Sequence, residues 1–155
     1  MERNLWRTHV VQEAIAVDVK KILVLCTGNS CRSQIAEGYL RKYAKEKSEI
    51  YSAGVEAHGL NKNAVETMAE DGIDISCHTS DLVDKFLDVK FDHVITVCDA
   101  AAERCPLFHN AVKRHHYNFP DPAKFKGTEE EKKVEFRRVR KMIKKYCQLF
   151  VSFYI

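Results

Sequence analysis

The segment that most constrains this chain is Lys20 to Ser33, where the apolar run KKILVLC passes without a spacer into CTGNSCRS and then into a helical pattern. Lys20 to Cys26 is short and rich in strand formers, the pattern of a central strand buried on both faces of a parallel sheet. Beyond Gly28, Asn29 and Ser30, the residues Ile35, Ala36, Tyr39, Leu40, Tyr43 and Ala44 recur at helical spacing. A buried strand that turns directly into a helix commits the chain to β-α-β units, because parallel neighbours need a crossover.

The pattern repeats downstream. Glu49 to Gly54 (EIYSAG) reads as a strand, and Asn61 opens a helix carrying Ala64, Val65, Met68 and Ala69 that stops at Gly72, where a left-handed cap favours glycine. Leu82, Val83, Phe86 and Leu87 suggest another short helix, and His93 to Cys98 (HVITVC) a second β-branched strand that ends on a cysteine. A short strand is expected at His115 to Phe119. Thr128 and Glu131 then have capping-box spacing ahead of a helix with the apolar stripe Phe136, Val139, Ile143, Tyr146 and Phe150. The expected fold is α/β, an open parallel sheet with helices on both faces. Residues 20–155 form one domain in this reading, and residues 1–19, which carry no clear period, form an extension of unassigned role.

At 155 residues, 45% hydrophobic and 30% charged, the chain has the size and composition of one globular domain. Its net charge of +3 arises from 25 basic and 22 acidic side chains interleaved along the sequence, which does not point to nucleic acid. No apolar stretch is long enough to span a membrane, and the N-terminal residues lack the continuous apolar centre of a secretory signal. A cytoplasmic, reducing location and a monomer are expected. There, six cysteines serve catalysis or burial rather than a fixed disulfide framework.

Chemistry concentrates in Cys26 to Ser33. Five residues separate Cys26 from Arg32 in a loop joining a strand to a helix N-terminus. Such a loop (Thr27, Gly28, Asn29, Ser30, Cys31, Arg32 and Ser33) turns successive N–H groups inward, and with the helix dipole they make a concave site for a tetrahedral oxyanion. Gly28 is expected to permit the tight turn. The same field favours the thiolate of Cys26, Arg32 can grip two substrate oxygens, and Ser33 can donate to the sulfur. Cys31 reads as a small loop residue rather than a second catalyst.

The stretch CTGNSCRSQIAEG from Cys26 resembles the signature of thioredoxin-coupled arsenate reductases, relatives of the low-molecular-weight protein tyrosine phosphatases. The resemblance extends from about Lys20 to Phe150 and takes in YSAG at Tyr51, DGIDIS at Asp71, HTSDL at His78, VCDAAAERCP from Val97, DPA at Asp121 and FRRVR at Phe136. It implies a flavodoxin-like, three-layer fold with four parallel strands and an active site at their carboxyl ends. It also implies that Asp121, between Pro120 and Pro122, is the general acid that protonates the departing oxygen. A turn aspartate with a capping role is the alternative.

A phosphatase needs only Cys26, Arg32 and Asp121, whereas reducing As(V) needs further thiols. The resemblance implies that Cys98 attacks the Cys26 adduct to form a Cys26–Cys98 disulfide, that Cys105 then attacks Cys98, and that thioredoxin reduces the Cys98–Cys105 product. If residues 99–104 are helical, seven steps of about 1.5 Å place Cys98 and Cys105 about 10 Å apart, beyond the roughly 6.8 Å limit between disulfide Cα atoms. Oxidation is therefore expected to unwind that helix. Gln34, where small tyrosine phosphatases generally carry proline, and the lack of a tyrosine after Asp121-Pro122 favour the reductase; the alternative is a tyrosine phosphatase working through a cysteinyl-phosphate. Arsenate is the expected substrate, phosphate or sulfate would compete, and no tightly bound cofactor is expected. In some relatives a potassium ion supports the loop, and Asn29, Glu37, Ser52 and Asp81 match its ligands; the same four could equally brace the loop by hydrogen bonds.

Overall fold

The computed structural model describes residues 18–106 and 112–155. Residues 1–17 of the N-terminal extension therefore lie outside the described residues. Strands β1 (Lys20–Cys26), β2 (Ser48–Gly54), β3 (His93–Thr96) and β4 (Lys113–His116) form one sheet in the order β2-β1-β3-β4, and every pairing is parallel. The helices are α1 (Arg32–Ala44), α2 (Lys62–Glu70), α3 (Asp99–Glu103) and α4 (Glu129–Tyr154). This is the four-stranded α/β fold expected from the alternating pattern. None of the helices among the described residues is long and apolar enough to cross a membrane.

Register fixes the two faces of the sheet. Ser52, Val24, Ile95 and His115 are paired across the four strands; Ser52 bonds Glu37 of α1, and the His115 ring meets Phe150 of α4, so this face carries α1 and α4. Tyr51, Leu23, Val94 and Arg114 face the other way. There Tyr51 packs edge-on against Phe86 and Phe91, and α3 lies over the far end. Ile22, Leu23, Val24 and Leu25 are fully buried, each contributing about 1.5–3 kcal/mol of transfer free energy.

Several element ends follow the expected chemistry. The Asn61 side chain caps α2, whose exit is a left-handed Gly72 with paired bonds from Gly72 N to Ala69 O and from Ile73 N to Met68 O. Thr128 and Glu131 form the reciprocal capping box of α4. Other limits differ from expectation. The helix at Leu82–Leu87 is a single 3-10 turn, Val83–Phe86. β3 ends at Thr96 because Cys98 already caps α3. β4 starts two residues earlier than the expected His115, although Tyr117 N and Phe119 N still bond Thr96 O and Val97 O, so pairing continues in effect to Phe119. On α4 the buried stripe takes Cys147 in place of Tyr146.

Candidate active site

β1 delivers Cys26 to the carboxyl edge of the sheet, buried to 3% exposure. The loop behind it is shaped by the chain that follows β2. Val55 N, Glu56 N, His58 N and Asn61 N donate to the carbonyls of Cys26, Thr27, Gly28 and Ser30 at 2.8–3.2 Å. Those carbonyls are thereby drawn away from the cleft, which turns the N–H edge of the loop toward it. α1 begins at Arg32 with no side-chain cap on its first turn and no acidic residue there, whereas α2 and α4 are both capped. Its dipole and amide hydrogens thus face the cleft without a competing acceptor.

Two glycines owe their identity to close approach. A Cβ on Gly54 would overlap the carbonyl oxygens of Glu56 and Thr27, so β2 can pass behind the loop only without a side chain. A Cβ on Gly28 would strike the His58 ring, and the left-handed residue of the turn is Asn29 (φ 46) rather than Gly28. Gly28 is needed for space, not for the turn angle that the sequence suggested. Asparagine is among the residues that tolerate that angle.

Asn29 and Ser33 are fully buried behind the loop. Asn29 Nδ2 donates to Ser33 Oγ and to Ser52 Oγ, both at 2.9 Å, and Ser52 Oγ donates to Glu37 Oε2 at 2.9 Å. Since Ser33 Oγ accepts from Asn29, its own hydrogen is available to the Cys26 sulfur 3.0 Å away. Asn29 Oδ1 accepts from Asp81 N at 2.8 Å. Gln34 Nε2 adds bonds to Asn29 O and Thr79 O at 3.0 and 2.9 Å.

The residues proposed as potassium ligands do converge, but as bracing partners. Glu37 Oε1 is held by Arg41 Nη2 at 2.8 Å, Glu37 Oε2 takes Ser52 Oγ and lies 3.2 Å from His78 Nδ1, and the Asp81 carboxylate turns to Thr79 Oγ1 and Lys85 Nζ. Each of these oxygens takes at least one protein donor in this structure, the bracing arrangement that the sequence offered as the alternative to a potassium site. Burial keeps the His78 imidazole below its ordinary pKa, with Glu37 opposing.

The cleft in front of the loop has a volume of about 310 Å³ and is lined by Cys26, Thr27, Gly28, Ser30, Cys31, Arg32, His58, Asp121, Ala123 and Lys124. Arg32 Nη1 donates to Phe119 O at 2.9 Å, and Nη2 lies 3.5 Å from Asp121 Oδ2. Asp121 Oδ1 accepts from Ala123 N at 3.0 Å, so the side chain caps a 3-10 turn and also lines the cleft. Cys31 is buried, and that burial pushes its thiol well above the usual range, leaving its backbone as its contribution.

Cys98 sits at the start of α3 with Sγ 3.3 Å from Thr27 Oγ1, which places it against the oxyanion loop. Cys105 is apart from it, half-buried beyond the other end of α3 in a separate cavity of about 210 Å³. Burial raises the Cys105 thiol, and Arg114 opposes the shift. Cys77 is exposed, and Cys147 is buried with its thiol 3.7 Å from Ala36 O. Sequence reasoning missed His58, Lys124 and Thr27 as the Cys98 partner. His58 was accessible to it, since it follows β2 at the carboxyl edge where open sheets bind ligands.

The model of the family described as low molecular weight phosphotyrosine protein phosphatase matches residues 21–153. The chain belongs to that family. The arsenate reductase of Bacillus licheniformis is 53% identical over 133 residues, spanning 86% of this chain and 96% of its own. That of Bacillus subtilis is 54% identical over 121 residues, 78% of this chain and 87% of its own. A solved arsenate reductase in the phosphate binding state superposes with a TM-score of 0.74 at 29% identity, covering 88% of this chain and 100% of the other.

Proposed function

We propose that this chain is an arsenate reductase that works through Cys26, Cys98 and Cys105 and is regenerated by thioredoxin. The observation that carries the reading is the 3.3 Å contact between Thr27 Oγ1 and Cys98 Sγ, a second thiol against the loop that carries the first. A phosphatase needs no such neighbour. The relatives named arsenate reductase support the same choice.

The Cys26 thiolate attacks arsenic, one arsenate oxygen leaves as water with a proton from Asp121, and the loop N–H groups with Arg32 hold the remaining oxygens. Cys98 then attacks the Cys26 sulfur. The electron pair of the S–As bond passes to arsenic, As(V) becomes As(III), arsenite departs and a Cys26–Cys98 disulfide forms. Cys105 displaces Cys26 from Cys98, and the resulting disulfide takes two electrons from the dithiol of thioredoxin. This chemistry suits a cytoplasmic monomer in a reducing compartment.

The test is arsenate reduction coupled to thioredoxin, thioredoxin reductase and NADPH, beside hydrolysis of an aryl phosphate, for wild type and Cys105→Ser. Wild type should reduce arsenate with multiple turnovers while Cys105→Ser stalls after one, and aryl phosphate should turn over weakly in both because the oxyanion loop is shared. Rapid ester hydrolysis without arsenate reduction would make the phosphatase the right reading.

A further inference from the structure

α3 is held by little apolar packing. It has five residues, of which only Ala101 is buried, and the cavity of about 210 Å³ beneath it is bordered by Val94, Thr96 and Ala102. A helix this short does not persist on propensity, and one buried alanine methyl contributes only about 1 kcal/mol. Besides Arg104 Nη1, 3.5 Å from Glu56 Oε1, and Cys98 Sγ beside Thr27, the contacts that fix it come from β4 and its extension. Along that strand Arg114, His116 and Asn118 alternate onto the α3 face while His115 points to α4. His116 Nε2 lies 2.8 Å from Asp99 Oδ1, and Asn118 Nδ2 donates to Asp99 Oδ2 at 3.0 Å. Thr96 Oγ1 fixes the other side of the His116 ring at 2.7 Å from Nδ1. At the far end Arg114 Nη1 approaches Cys105 Sγ at 3.9 Å, and Nη2 lies 3.4 Å from Pro106 O.

We propose that β4 is a clamp on the segment between the two relay thiols, with His116 and Asn118 gripping Asp99 beside Cys98 and Arg114 holding Cys105 at the opposite end. Asp99, His116, Asn118 and Arg114 are thus positioning residues. The inference rests on the disulfide relay proposed above. In the relay step the Cys105 thiolate attacks Cys98 Sγ, an S–S bond forms as the Cys26–Cys98 bond breaks, and Cys26 leaves as thiolate with no net change in oxidation state. Five helical residues at about 1.5 Å each hold the ends of the segment more than about 7 Å apart, against a limit of about 6.8 Å between disulfide Cα atoms, so the helix must uncoil first, and the clamp favours the reduced arrangement. Asp99 is at the first position of α3, where its charge also suits the helix dipole.

The experiment equilibrates full-length wild type, Asp99→Ala, His116→Ala, the double variant and Arg114→Gln with dithiothreitol redox buffers. Thiol trapping and peptide mass then read the fraction of Cys98–Cys105 disulfide. Asp99→Ala and His116→Ala should each favour the disulfide about threefold to tenfold, the size expected for a partly exposed hydrogen bond to a carboxylate. The double variant should show less than the sum, because both single changes remove the His116–Asp99 contact, while Asp99→Ala also removes the Asn118 bond. Asp99→Asn, which keeps the shape and one acceptor, should fall between. Steady-state KM for arsenate should stay within twofold in the Asp99 variants, since the oxyanion loop is untouched. A wild type that forms no Cys98–Cys105 disulfide overturns the relay and the clamp together. A disulfide that forms with the same midpoint in every variant, or with additive Asp99 and His116 effects, overturns the clamp alone.

Discussion

The oxyanion loop and the segment from Cys98 to Cys105 share one edge of the sheet and are held in opposite ways. Around the loop, four backbone bonds fix the carbonyls, Asn29 is fully buried, and the side chains of Asn29, Gln34 and Ser52 each donate to a named acceptor. Around α3 a single alanine is buried over a cavity, and exposed polar contacts hold both ends. The difference follows from the chemistry asked of each. Stabilising an anion requires dipoles already in place, whereas passing a disulfide along requires thiols that can travel.

The sharpest way to break this contrast is to remove charge handling from the rigid side. Cys26→Ser should abolish both arsenate reduction and aryl phosphate hydrolysis. Arg32→Ala should lower kcat/KM for arsenate by about 10²–10³, the scale of losing one preorganised oxyanion donor. If Arg32→Ala lost activity only through unfolding, its melting temperature would fall in step, and the assignment of Arg32 to the anion would be wrong. Inorganic phosphate should slow amide exchange across residues 27–33 and leave residues 99–105 unaffected, because only the loop touches the anion.

Next in size is the bracing network. Asn29→Ala leaves Asp81 N and the Ser33 and Ser52 hydroxyls short of partners and places alanine at a left-handed φ. A loss of about 1–3 kcal/mol in denaturant unfolding is expected, with a fall in kcat/KM beyond what the unfolded fraction explains. Gly54→Ala should be at least as damaging, since the overlapping atoms are backbone and cannot step aside.

How much of this was legible in the sequence differs between the two regions. Cys26, Arg32 and Ser33 stand in one contiguous loop, and local spacing fixes their relation. The apolar runs of β1 and α1 and the caps at Asn61 and Thr128 are equally local signals, as is Gly72. What spacing could not reveal is contact between distant residues: His58 over Gly28, His78 beside Glu37, and His116 on Asp99 across 17 positions. The four residues matched to a potassium site show the same limit, because the convergence of Asn29, Glu37, Ser52 and Asp81 on one another joins positions up to 52 apart. β4 was misplaced because KRHH has no apolar alternation; only its position at the edge of the sheet makes such a strand stable.

Acid should act on β4 through a pair of histidines. His93 Nδ1 and His115 Nε2 lie 3.0 Å apart, packed by Phe150 and Tyr154, with Lys20, Lys113 and Asp92 as the charged neighbours. Burial holds both imidazoles below their ordinary value, His115 and Lys113 disfavour protonation of His93 further, and Lys113 does the same to His115. Both rings are therefore neutral in the fold while the unfolded chain takes up protons near pH 6.5. Stability is fully present above that value and falls as pH drops through it toward the lower folded values, with a slope of at most about 1.4 kcal/mol per pH unit for each proton. His115→Gln should flatten this acid limb, and an unchanged limb would remove the pair from the account.

The smallest effect belongs to a helix start that has no anion to serve. Thr128 closes the capping box of α4 with Glu131, far from both regions, whereas the first turn of α1 is left without a side-chain cap beside the cleft. Thr128→Ala should cost about 1 kcal/mol in global unfolding. Phosphate affinity and the Cys98–Cys105 midpoint should not move, because neither depends on how α4 begins. If Thr128→Ala weakened phosphate binding as well, α4 would be coupled to the oxyanion loop through Phe136 and Val139. The division between a fixed site and a mobile relay would then have to include that helix.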